Sequence, residues 1–270
     1  ETYLFKMGLD HRSLLGRARM MNAAFGAVLG LLIFAWTRKV GGILAGVLAL
    51  ALYVLSPAVI AIASLVTIDV GAALWLNAAV WAYAWFLHAP SWRRAVLAGL
   101  VLGALLLTKF SALAYFALAG AIFLIGLALA GPQIRRTWRR ILALHGIGLF
   151  VAWLAIWAFF GFRAAPGGAT HPWGEMGQGT KVERAAQIAR TLHLLPDPYA
   201  FDLRGFRLLV GKRYSFLHGE HRYGGSWDYF PITFGVKSTI AFLTALALAA
   251  IIAATHARRV AGILRSNFAH

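Results

Sequence analysis

Asp69 is the only carboxylate between Asp10 and Glu175, and it stands in an otherwise apolar stretch. Lys109 is the only lysine between Lys39 and Lys181. A charge at the centre of a bilayer helix costs roughly 2.5–3.5 kcal/mol on insertion scales, so such residues ordinarily face a cavity, a partner or a substrate. A carboxylate can take a proton from a hydroxyl, and a fixed cation can stabilise a phosphate oxygen as charge grows on it. A second group lies at His218-Gly219-Glu220-His221-Arg222-Tyr223-Gly224-Gly225-Ser226-Trp227-Asp228-Tyr229-Phe230-Pro231, with Lys237 close behind. Glycines let backbone approach a ligand, aromatic rings offer faces to sugars or lipid interfaces, and cations attract phosphate. Blander readings compete. Asp69 ahead of Val-Gly-Ala-Ala-Leu also suits a helix N-cap, Lys109 also suits snorkelling to an interface, and the second group also suits ordinary headgroup binding.

The elements that must position these residues are membrane helices. The chain of 270 residues is 60% hydrophobic and 13% charged, with a mean hydropathy of +0.71; a soluble domain carries about 25% charged residues. Apolar residues come in runs long enough to cross a hydrocarbon core of about 30 Å. The runs predict spans at 20–36, 41–56 and 70–87, a hairpin of two spans over 95–130 interrupted by Thr108-Lys109, a span at 141–162 and a last one at 232–255. Ser56-Pro57 predicts a break before a further apolar piece, 58–68, because proline removes a helical donor and crowds the preceding turn. The expected fold is all-α, a polytopic bundle of about seven spans with a mixed extracytoplasmic loop domain. Residues 1–162 are helices with short loops, 163–230 the loop domain, and 231–270 the last span and a basic tail.

Clusters of Lys and Arg at 38–39, 93–94, 135–140 and 258–265 all fall on one side of a seven-span chain. The positive-inside rule makes that side the cytoplasm. Residues 1–19, the Pro57–Asp69 region, Lys109 and the polar block then face outward together. The block holds nine Lys/Arg and six Asp/Glu, but long loops translocate largely regardless of charge. The formal charge of +17 is therefore read as cytoplasmic loops rather than as nucleic-acid binding. With no cysteine there is no disulfide and no thiolate metal site.

Within the block, 181–195 places Val182, Ala185, Ile188, Ala189, Leu192 and Leu195 at helical spacing. This predicts an amphipathic helix, either at the membrane surface or packed on its own domain, and Leu195-Pro196-Asp197-Pro198 ends it. His218, Glu220 and His221 lack the i, i+4 histidine pair of helical metalloprotease sites, and no metal is expected. No nucleophile elbow and no nucleotide-type glycine loop is present.

The order of these features resembles the family 39 membrane glycosyltransferases, protein O-mannosyltransferase-like enzymes of the GT-C superfamily. The resemblance rests on Gly16-Arg17, Leu55-Ser56-Pro57 and Thr67-Ile68-Asp69, on Gly99 through Thr108-Lys109, and on Gly219-Glu220 through Gly225-Ser226-Trp227-Asp228-Tyr229-Phe230-Pro231 and Lys237. It implies a bacterial inner-membrane enzyme that moves a hexose such as mannose from a polyprenyl phosphate to an extracytoplasmic protein or glycolipid acceptor, with inversion. The donor arrives in the lipid phase, so no cofactor is implied. Lys109, Arg222 and Lys237 would stabilise the leaving phosphate, Glu220, Trp227 and Tyr229 would contact substrate, and Asp69 would play a supporting catalytic role. The family's base lies in a first outward loop, of which residues 1–19 correspond to the tail. The main catalytic carboxylate is therefore expected upstream of Glu1. The first span, most of that loop and the C-terminal spans are likewise expected to lie outside this chain.

Two other classes fit part of the pattern. A secondary transporter would use Asp69 and Lys109 for ion coupling, but such folds usually carry internal repeats, and the sequence shows none that convinces. A noncatalytic membrane scaffold would tolerate Asp69→Asn, Lys109→Met and Lys237→Met.

Overall fold

The computed structural model describes residues 10–109, 112, 132–163, 188–189, 191–200, 214–223 and 226–255. They form α1 (His11–Val54), α2 (Pro57–Ala63), α3 (Asp69–His88), α4 (Trp92–Thr108), α5 (Pro132–Phe159), strands β1 (Tyr214–Leu217) and β2 (Glu220–Tyr223), then α6 (Tyr229–Lys237) and α7 (Ile240–Thr255). Three stretches, Arg12–Val54, Asp69–His88 and Arg139–Phe159, are long and apolar enough to cross a membrane, and α6 with α7 makes a fourth if the pair is one bent span. Leu31, Leu44 and Leu48 of α1 are exposed, as lipid-facing side chains are. The chain is a mostly helical membrane protein on these grounds. The second leg of the expected 95–130 hairpin, the start of the amphipathic helix and the basic tail lie outside the described residues. So does the N-terminal tail from Glu1 to residue 9.

The chain forms two compact units, residues 1–94 with 232–270, and residues 95–231. In the first, the expected spans 20–36 and 41–56 are the two legs of α1. The break falls at Gly42, whose φ of 83° and ψ of 179° belong to a region that essentially only glycine occupies. Beyond it the chain doubles back. A Cβ on Gly46 would meet Phe34 and Arg38, one on Gly30 would meet Leu50 and Tyr53, and the Tyr53 hydroxyl donates to the Gly26 carbonyl at 2.9 Å. Arg38 and Lys39 therefore sit at the tip of a helical hairpin. Ser56 is extended and Pro57 opens α2 at a position where its missing N–H costs nothing. This is the break anticipated at Ser56-Pro57.

The first leg of α1 runs parallel to α3. Gly26 lies beside Val70, with 3.8 Å between its ideal Cβ and the valine, and Trp36 stacks on Trp81 at 6.2 Å. The Arg38-Lys39 tip and the α3 terminus at His88 thus share one end, and Ser56–Asp69 occupies the other. Just beyond α3, Arg94 donates to the Trp85 carbonyl at 2.9 Å and lies over its ring at 4.4 Å.

In the second unit α4 and α5 touch through backbone. A Cβ on Gly99 would run into the Gly148 carbonyl, one on Gly103 would meet Ala155 at 2.8 Å, and Gly148 already lies against the Ala95 carbonyl. Small residues at 95, 99 and 103 make this closeness possible, as in membrane helix pairs. Residue 99 faces 148 and 103 faces 152–155, so the two helices are parallel. Their basic N-terminal ends, with Arg93 and Arg94 on α4 and Arg139 and Arg140 on α5, share a side.

One boundary differs from expectation. The last apolar run, 232–255, is not one helix: α6 and α7 meet at Ser238-Thr239 with a bend of 115°. The Thr239 hydroxyl accepts the Phe242 N–H at 3.3 Å, an N-cap that starts α7 afresh, and Phe234 packs edge-on against Phe242 across the bend. Lys237 consequently ends a short helix instead of lying inside a span.

Candidate functional site

Asp69 is the first residue of α3, and it is exposed. It is not the N-cap: Ile68 holds that position, and no side chain caps the helix. A carboxylate in the first turn still faces the positive end of the helix dipole. Asp10, by contrast, is a true cap, its carboxylate accepting from the N–H groups of Arg12 and Ser13 at 3.1 and 3.3 Å. The main catalytic carboxylate expected from the family resemblance is not among the described residues.

The turn ahead of Asp69 is fastened by a residue that the motif reasoning passed over. Asn22, on α1, is only 6% exposed. Its amide donates to the carbonyls of Ile62 at 3.0 Å, Ala63 at 3.4 Å and Leu65 at 2.6 Å. These carbonyls lie at and just past the end of α2, where helical donors run out, although that of Ile62 also accepts the Leu65 N–H at 3.2 Å. A lone asparagine in an apolar run was the signal available in sequence. Two residues before Asp69, the Thr67 hydroxyl oxygen is buried with no hydrogen-bond partner among the described residues.

Lys109 follows directly on the last turn of α4, its N–H donating to the Leu105 carbonyl at 3.1 Å, and Thr108 bonds back to Ala104 at 2.7 Å. The interruption expected at Thr108-Lys109 is thus a helix end. The polar block closes over that same end. The buried Tyr199 hydroxyl donates to the Leu106 carbonyl at 3.3 Å, and its ring meets Phe160 edge-on at 6.4 Å. Trp153 and Trp157 both donate to the Leu194 carbonyl, at 2.6 and 3.2 Å. Pro196 and Ala200 are fully buried. Burial pushes the Tyr199 phenol up to about 12, so it remains a donor at neutral pH.

The amphipathic helix ends at His193, whose φ of 51° turns the chain out of the helix two residues before the expected Leu195. Ile188 and Leu192, four residues apart, are both exposed; residues 181–187 of the expected helix lie outside the described residues.

The histidine group resolves into backbone geometry. His218 and Gly219, with φ of 55° and 83°, are the two central residues of a tight hairpin turn joining β1 to β2. Leu217 pairs with Glu220, Phe216 with His221 and Ser215 with Arg222. Leu217 is buried, whereas Phe216, Glu220, His221 and Tyr223 are exposed. The Phe216 and His221 rings lie 5.0 Å apart. Among the described residues no group of three His, Cys, Asp or Glu side chains could hold a metal ion. Trp227 is exposed just ahead of α6, where the Ser226 hydroxyl bonds the Asp228 carboxylate, and Tyr229 opens that helix.

Of the residues singled out in sequence, Lys109, Glu220, Arg222, Trp227 and Tyr229 belong to the second unit, and Asp69 and Lys237 to the first. Within its own unit, Asp69 lies at the end opposite Arg38 and Lys39, and Lys109 at the end opposite Arg139 and Arg140. Tyr199, Trp153, Trp157 and Asn22 hold these ends in place. Compared with known proteins, the chain matches no family model, no curated protein and no solved structure.

Proposed function

We propose that this chain is part of a polyprenyl-phosphate-dependent membrane glycosyltransferase. It would be a GT-C-like bundle of about seven spans in a bacterial inner membrane, with the polar block outside. The observation that carries the reading is the position of Lys109. It sits where α4 ends, away from the arginines at the helix N-termini, and residues 194–200 of the polar block are bonded onto that end. A lysine so placed suits a lipid-linked phosphate at the outer interface. The family resemblance stated above supplies the reaction class.

The acceptor hydroxyl oxygen attacks the anomeric carbon and loses its proton to a carboxylate base. The bond from that carbon to the phosphate oxygen breaks on the opposite face, with inversion, and the electron pair stays on the phosphate. Lys109, Lys237 and Arg222 would stabilise that growing charge without proton transfer. Glu220, Trp227 and Tyr229 would bind substrate. Asp69 would orient the acceptor or balance charge, and the principal base would be the carboxylate that the family resemblance places in its first outward loop.

In a protein carrying this chain together with that loop, Lys109→Met and Lys237→Met should each reduce sugar transfer from a polyprenyl-phosphate donor by about 10²-fold or more, the scale of losing one charge-stabilising donor. Unchanged turnover in both variants, at equal folded protein, removes the proposal.

A further inference from the structure

The bend between α6 and α7 has a consequence for the bilayer that does not depend on the enzymatic reading. Helix α7, Ile240–Thr255, carries no charged residue. Its 16 residues rise about 24 Å, slightly less than a hydrocarbon core of about 30 Å, and spanning helices tilt by about 20° on average. Its partner α6 departs from it by 115°, which is close to a right angle. With α7 across the membrane, α6 runs closer to the membrane plane than to its normal, at the depth where α7 begins. That depth is the boundary between headgroups and acyl chains.

The side chains of α6 match that location. Phe230, Phe234 and Lys237 fall at i, i+4 and i+7, one above another on a single face. Phe230 is 78% and Phe234 50% exposed, and Lys237 is exposed as well. Ile232, on the opposite side, and Tyr229 and Thr233, on the flanks, are half-buried, while Val236 is 81% exposed. Exposed aromatic side chains beside a lysine that can lift its ammonium to the phosphates are the composition of an interfacial anchor. We infer that α6 is an in-plane helix seated in the headgroup–acyl boundary of a phospholipid bilayer, with Phe230 and Phe234 toward the acyl chains and Lys237 at the phosphates.

Depth measurements test this directly. The chain has no native cysteine, so Phe230→Cys, Phe234→Cys and Lys237→Cys can each carry a single nitroxide in the full chain. All three positions are exposed, and because Phe234→Cys also removes the edge-on contact with Phe242, the labels at 230 and 237 are read beside it. The proteins are reconstituted into phosphatidylcholine/phosphatidylglycerol vesicles, and collisions with oxygen and with a nickel chelate are compared, with Leu248→Cys on α7 as the bilayer reference. The expected result is oxygen-favoured collision at 230 and 234, with the three labels within about 5 Å of one depth. A steady depth gradient of about 10 Å from 230 to 237, the rise of a helix continuing the span, overturns the inference. Nickel access equal to that of free nitroxide in buffer also overturns it. So does shielding from both colliders, which would mean that protein, including a second copy of the chain, covers the face.

Discussion

The Tyr199 hydroxyl donates to the Leu106 carbonyl at 3.3 Å, joining two residues 93 positions apart. Leu106 lies in the last turn of α4, where helical donors run out. The bond ties the polar block to the helix end that carries Lys109.

Tyr199→Phe removes this bond and keeps the ring against Phe160. Unfolding of the detergent-solubilised protein should show a loss of about 0.5–1.5 kcal/mol. The pH dependence has a definite sign. The folded phenol titrates at about 12 against 10.0 for an ordinary tyrosine, so above pH 10 the unfolded chain gives up its proton first. The contribution of Tyr199 is fully present below pH 10 and is lost as pH rises toward 12. The difference between wild type and Tyr199→Phe should accordingly shrink over that range; a constant difference contradicts the assignment.

Gly99→Val places a branched side chain where the Gly148 carbonyl stands. Forced separation of α4 and α5 should cost at least about 1–3 kcal/mol, the usual penalty of overpacking. Gly146→Ala, at a position with open space, is the control and should change stability by less than half as much. Equal effects in thermal unfolding would show that α4 and α5 do not meet at Gly99.

Asn22→Leu strips the carbonyls of Ile62, Ala63 and Leu65 of their shared donor and should destabilise by about 1–3 kcal/mol or more. Thr67→Val acts in the other direction, because it replaces a buried hydroxyl that has no partner among the described residues. Its stability should be unchanged or higher. A large loss in Thr67→Val would reveal a hydrogen bond that the described residues do not supply.

Sidedness is checked by labelling single cysteines in intact cells. Positions 39 and 140, at basic ends, should react only with reagents admitted to the cytoplasm. Position 220, exposed on the hairpin, should react with an impermeant reagent from outside. The reverse pattern would invert the placement of the polar block.

Much of this arrangement is written in local sequence. The breaks at Ser56-Pro57 and Thr108-Lys109 follow from proline geometry and from the end of an apolar run, and the α1 hairpin follows from a basic pair beside two glycines. Gly219 in the tight turn is likewise a local requirement. The bend at Ser238-Thr239 was locally encoded too, by the Thr239 cap, but it is masked by unbroken hydropathy on either side.

Hydropathy and charge determined by themselves that this chain is built of membrane helices, and they marked Asp69 and Lys109 as the residues out of place in them. Tertiary structure alone decided what holds those residues: Asn22 gathering three carbonyls 40 to 43 positions away, Tyr199 and two tryptophans fastening the polar block, and Gly99 admitting Gly148. The reason is physical. A helix period reports which face is apolar, because neighbours along the chain share it, but an orphan carbonyl is satisfied by whichever donor packing delivers, and no local pattern records that partner.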